Sequence, residues 1–203
     1  VAAESGGTVT LDSAIAGIPA AGITGVLPVG VTGGSGLDAV SAGLMIQMVQ
    51  TVKQDAFSTG QQAEILVPDY NCSITPIKAG SKIFVQWNFD TGTSTSLTAY
   101  AYMERKIGSA GWAKLTGAMG TSSGSSNTSA ISHAGGENSW ELQKRSGMYL
   151  DTPTYTLTDA VEYRIGIRNE SSSAIIYVGT TNRNNTIYHP VTASILILTE
   201  ISS

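Results

Sequence analysis

The residues of this chain that could do chemistry are few and far apart. Gly120-Thr-Ser-Ser-Gly124 matches the G-x-S-x-G pattern of a nucleophile elbow, which would cast Ser122 in acyl transfer. An elbow needs an apolar strand before the serine, a helix after it, and backbone N–H groups aimed at the oxyanion. The match sits instead in a Ser/Gly tract, so it reads as chance. A catalytic triad would also need His133 or His189 beside a buried carboxylate, and nothing in the spacing pairs them. Glu104, Asp151, Glu162 and Glu170, the carboxylates open to a glycosidase pair, fall on outward strand positions or at turns, and most are expected to be solvated. Cys72 is the single cysteine, which excludes an intrachain disulfide; with two histidines there is no Cys/His metal spacing, and a buried strand position is expected for it. Gly33-Gly34-Ser35-Gly36 lacks the strand before it and the Lys after it that a phosphate loop requires, and reads as a turn. The sequons at Asn71, Asn127 and Asn169 are common by chance in so Ser/Thr-rich a chain. No enzyme and no cofactor is expected.

Outward aromatics are the better candidates for contact. Tyr100 and Tyr102 on a polar strand face, and Trp112 and Trp140 in a Ser/Gly-rich stretch, have rings that could stack on sugars while Asn, Ser and Thr meet the hydroxyls. The competing reading closes both tryptophans over a core and packs the tyrosines at a subunit contact.

Strands must position these residues. Ile83, Val85, Trp87 and Phe89 alternate with Lys82, Gln86 and Asn88; Leu97, Ala99, Ala101 and Met103 with Thr98, Tyr100, Tyr102 and Glu104; Val161, Tyr163, Ile165 and Ile167 with Glu162, Arg164 and Arg168. Pro68-Asp69, Ala79-Gly80 and Thr158-Asp159 supply turn residues. From Leu44 to Val52 the even-numbered positions form the more apolar face of a strand; the rival reading is a helix from Ser41 to Lys53, which Met and Gln favour. Residues 108–147 read as a long surface loop or a pair of short strands with wide connections. The whole of 44–203 predicts an all-β, antiparallel β-sandwich head, jelly-roll-like in form.

Residues 1–43 behave differently. Glycine density there forbids a helical period, and Ile18, Ile23, Leu27 and Val29 stand among Gly, Ala and Pro with no charge between Ile15 and Leu37. One copy would leave them in water, whereas several wound together would bury them, so the segment is expected to be an extended Gly-rich oligomerising stem. AIIYV at 174–178 and SILIL at 194–198 are apolar on both faces, although a two-layer sandwich buries only one. Ile176, Leu196 and Leu198 join the stem residues as candidates for a subunit interface.

Composition narrows the partners. Charged residues are 13% of the chain and net charge is −4, with no Lys/Arg cluster to meet a phosphate backbone, so nucleic acid is not expected. No apolar run approaches the ~20 residues of a membrane span. VAAESGG lacks the basic start and apolar core of a signal peptide, and a chain opening on Val1 is expected to be processed or cut from a longer one.

Residues 24–37, TGVLPVGVTGGSGL, resemble the LP-x-x-x-GGTGL segment of tail-fibre and related appendage proteins of tailed bacteriophages, with one residue inserted before the Gly pair and Ser35 in place of Thr. MIQMVQTVKQDAFST at 45–59, CSITP at 72–76, MYLDTPTYTLTDAVEYRIGIRN at 148–169 and SILILTEI at 194–201 are similar to pieces of a β-sandwich domain common in phages of aquatic bacteria. None of these is a catalytic signature. The resemblance implies a homotrimeric virion protein: a fibre or spike whose stem attaches to other virion proteins and whose head contacts a host-surface glycan. The rivals are a decoration protein that cements the capsid without a receptor and, further off, a β-sandwich glycan esterase or hydrolase.

Overall fold

Apolar–polar alternation at period two builds most of the strands. The computed structural model describes residues 42–95, 98–121, 131–135, 141–171, 173–182 and 191–203. Ile18, Ile23, Leu27, Val29, Ser122, Trp140, His189, the side chain of His133 and the stem up to residue 41 lie outside the described residues. The strands are β1 (Met45–Lys53), β2 (Phe57–Thr59), β3 (Ile65–Ile74), β4 (Lys82–Thr93), β5 (Thr98–Ile107), β6 (Ala113–Lys114), β7 (Ser132–Gly135), β8 (Gln143–Asp151), β9 (Val161–Asn169), β10 (Ile176–Val178) and β11 (Ser194–Ile201). A 3-10 turn covers Thr116–Ala118, and the described residues hold no α-helix.

Among the described residues every strand pairing is antiparallel, and the strands form two sheets. In the first, β1, β11, β4 and β8 lie side by side. Thr91 pairs with both Gln143 and Val178, so β10 continues the edge of β4 that β11 occupies, and β2 pairs with β10 beyond it. The second sheet runs β3, β9, β5, with β6 and β7 on the remaining edge of β5. From β2 onward the chain changes sheet at six of its nine connections, which gives an all-β, β-sandwich-like arrangement over one core.

That core follows the alternation. Ile83, Val85, Trp87 and Phe89 of β4 face Val161, Tyr163, Ile165 and Ile167 of β9, Met103 of β5 and Ile74 of β3, all buried. Each large side chain removed from water contributes on the order of 1.5–3 kcal/mol. Cys72 is buried on β3, and that burial raises its thiol pKa. Residues 45–53 form a strand and no helix.

Several expectations change. Ile176, Leu196 and Leu198 are fully buried inside the sandwich, so they belong to the core and present no surface outward. In β11 it is Ile195, Ile197 and Ile201 that turn outward, and β10 is enclosed between β4 and β2. Strand β1 turns its more apolar even-numbered face out, because its inward residues find polar partners at the rim. Gln47 donates to the buried Glu200 carboxylate at 2.7 Å, and Lys53 pairs with Asp55 at 2.8 Å. Pro68-Asp69 is a bulge within β3, not a turn: Asp69 takes φ 56, the register slips between Leu66 and Asn71, and Val67 and Tyr70 both face inward. Asp151 is buried rather than solvated, as the strand phase of β8 directs it inward. There it accepts two bonds from Arg105 Nη1, at 2.8 and 2.7 Å, and one from the Tyr163 hydroxyl at 2.6 Å, which ties the sheets together. Burial, and then the Asp151 charge, push the Tyr163 pKa upward.

Candidate functional site

Two outer faces remain after the core is filled. On the second sheet, β5 and β9 are in register with Glu104 opposite Arg164, Lys106 opposite Glu162, Tyr102 opposite Gly166 and Tyr100 opposite Arg168. Alternation sends these side chains outward together. Arg164 Nε donates to Glu104 at 2.7 Å, Lys106 bonds Glu162 at 2.6 Å, and Lys114 of β6 pairs with Glu64. Trp112, carried in by the turn before β6, lies over this ladder with the Arg164 guanidinium carbon 3.9 Å and the Lys106 ammonium 5.6 Å from its ring centre. Cation–π contact and ion pairing therefore act on the same two cations.

Tyr102 lies on the same face but is only 5% exposed. Gly166 leaves the room its ring fills, since a Cβ there would fall on the ring, and the Lys114 ammonium sits 5.2 Å from the ring centre. Burial, with smaller contributions from Glu104 and Glu64, pushes the Tyr102 pKa up to about 12. Tyr102 thus offers no open stacking surface. Trp112 and Tyr100 keep partial exposure on that face, while Trp140 lies outside the described residues. In the backbone ladder His133 stands opposite Tyr100. The sequon at Asn169 is closed, because that side chain is buried and donates to the Ala174 carbonyl.

The outer face of the first sheet was missed as a unit. Register places three cross-strand rows on it: Met48, Thr199, Phe84, Leu150; then Gln50, Ile197, Gln86, Met148; then Val52, Ile195, Asn88, Ser146. No position in these rows carries a charge. Met48 is 58% and Met148 67% exposed. Over β4, between β11 and β8, lies a groove of about 370 Å³ lined by Gln86, Asn88, Ser146, Met148, Ile195 and Ile197. Within it Asn88 Oδ1 is enclosed and accepts no hydrogen bond from the described residues. The signal was present in SILIL, where it pointed to Leu196 and Leu198 instead of Ile195 and Ile197, and in the even-numbered face of residues 44–52, which is the half that turns outward.

Glu104 and Glu162 stay outward and ion-paired, so these two of the carboxylates weighed for glycoside chemistry are engaged in structure, as Asp151 is. Among the described residues no three His, Cys, Asp or Glu converge to hold a metal ion, and no helix is long and apolar enough to cross a membrane. Scans against models of known protein families and against curated proteins return no match to this chain.

Proposed function

We propose that this chain is a non-enzymatic structural protein of a bacteriophage particle, a homotrimeric fibre or spike whose jelly-roll-like head is displayed on the surface and whose residues 1–43 form the attaching stem. One observation carries the reading: the charge-free outer face of the first sheet, which a solitary copy would leave in water, lies opposite a second outer face laced with ion pairs and suited to solvent. Such a division fits a head assembled through one sheet and presented through the other. The likeness of residues 24–37 to phage appendage segments supports the location. Trp112 and Tyr100, partly exposed on the presented face, are the head's contacts for a host-surface glycan.

Sedimentation of the full chain at low micromolar concentration tests the assembly, with an expected mass three times the 21.0 kDa of one chain. A monomer removes the trimer. Adsorption of the labelled protein to susceptible cells tests the contact: binding that Trp112→Ala abolishes supports it, and no binding leaves capsid cementing as the better reading.

A further inference from the structure

We infer that the outer face of the first sheet is where copies of this chain meet, each setting its three charge-free rows toward a common axis against the same rows of its neighbours. The inference rests on the trimeric reading above and names the surface that makes the trimer.

Area comes first. Four strands about 4.8 Å apart, and rows about 6.8 Å apart, give roughly 500 Å² per copy once the end row of Met45, Ile201 and Lys82 is included. Met48, Phe84, Leu150, Ile197, Met148, Val52 and Ile195 make up the apolar part of that face. Three such faces set round one axis remove about 1,500 Å² from water in the whole assembly.

Charge comes second. Lys82 stands at one end of the face, and Lys144 beside Asp90 at the other, so the centre offers nothing to an ionic partner. A basic or acidic partner would bury its charges here without counter-ions, at a high desolvation cost.

Hydrogen bonding decides between the remaining occupants. Gln50, Gln86, Asn88 and Ser146 are interspersed with the aliphatic residues, so whatever covers this face must offer hydrogen bonds. An acyl chain has none. Amides donate and accept alike, so a second copy presenting the same face brings both the apolar surface and the N–H groups.

Shape agrees. Met148 projects from the rim of the groove it helps to line, which places a knob beside a hole on one surface, as self-association requires. A flexible thioether adapts to such a hole better than a branched side chain.

The test uses the full chain. With Met148→Lys and Ile197→Lys combined, an unpaired cation must enter each contact, and association measured by sedimentation should weaken about 100-fold or more while far-UV dichroism is unchanged. Arg168→Ala, on the opposite face, should leave association as it was. Gln86→Cys, treated with a bifunctional maleimide, should yield covalently joined copies, and this readout holds even where the lysine variant fails to fold. A wild-type trimer that survives the double substitution, or that gives no cross-link through position 86, overturns the inference and leaves the trimeric reading standing. A wild-type monomer overturns that reading itself.

Discussion

The outer face of β5 and β9 and the outer face of β4 and β11 are built by the same alternation, yet they meet water in opposite ways. The first fills its outward positions with Glu104, Lys106, Glu162 and Arg164, paired across strands and capped by Trp112. The second fills them with Phe84, Gln86, Asn88, Ile195 and Ile197 and pairs none of them by charge. Strand period alone thus says which residues share a face and leaves open which face is wet. The chemistry of the side chains opposite one another in register supplies that answer.

Alkali should separate the faces most strongly. Tyr102 lies on the salt-bridged face, where burial lifts its pKa from the ordinary 10.0 to about 12, and burial raises Tyr70, Tyr155, Tyr163 and Tyr177 as well. A phenol whose folded pKa is raised contributes stability that is complete below pH 10 and is lost as pH climbs through the folded value. The chain should therefore be indifferent to mild alkali and should unfold above about pH 10, with tyrosinate absorbance and loss of dichroism rising together. Tyr102→Phe should move the onset upward. The three rows on the other face hold no ionisable group, so association there should not change between pH 6 and pH 9, roughly the range in which histidine and α-amino groups titrate. A stepwise loss of association inside that range, in a chain still folded, would break the contrast.

A smaller effect should come from one methyl-bearing side chain on each face. Gly166→Val drives branched carbon into the space of the Tyr102 ring, and overpacking of this kind costs about 2 kcal/mol, visible as a lower urea midpoint. Ser146→Val places the same side chain on the exposed face of β8, where a surface change costs within about 0.5 kcal/mol. Equal losses at the two positions would mean that Tyr102 swings away freely.

How much of this was legible beforehand depended on the range of the interaction. The inward residues of β4, β5 and β9 and the burial of Cys72 follow from local alternation, and they were readable residue by residue. Phase was not. Whether Leu196 or Ile197 points inward is set by pairing with β1 and β4, which no short window contains. The Pro68-Asp69 bulge was misread for a related reason, since turn residues look alike whether the chain reverses or only slips in register. Asp151 carries the same lesson, because its partners Arg105 and Tyr163 lie on the other sheet, far along the chain. At the candidate contact face, Trp112 and Tyr100 were nominated by residue type, while the enclosure of Tyr102 depended on a glycine in a neighbouring strand.

Salt offers the finest separation, because it acts on the two faces with opposite sign. Lys106 and Glu162 sit opposite each other on β5 and β9, half-buried and 2.6 Å apart, and Trp112 lies close to the ammonium. A double-mutant cycle through Lys106→Ala and Glu162→Ala should give a coupling of about 0.5 kcal/mol at low ionic strength, the range of partly exposed pairs. At 1 M sodium chloride the screening length falls to roughly 3 Å, and the coupling should shrink toward zero. Sulfate is excluded from apolar surface and strengthens its burial, so the same ionic strength delivered as sodium sulfate should tighten association through β4 and β11. If both faces instead weakened with either salt, contact between copies would have to run through charges, and the uncharged rows could not be its seat.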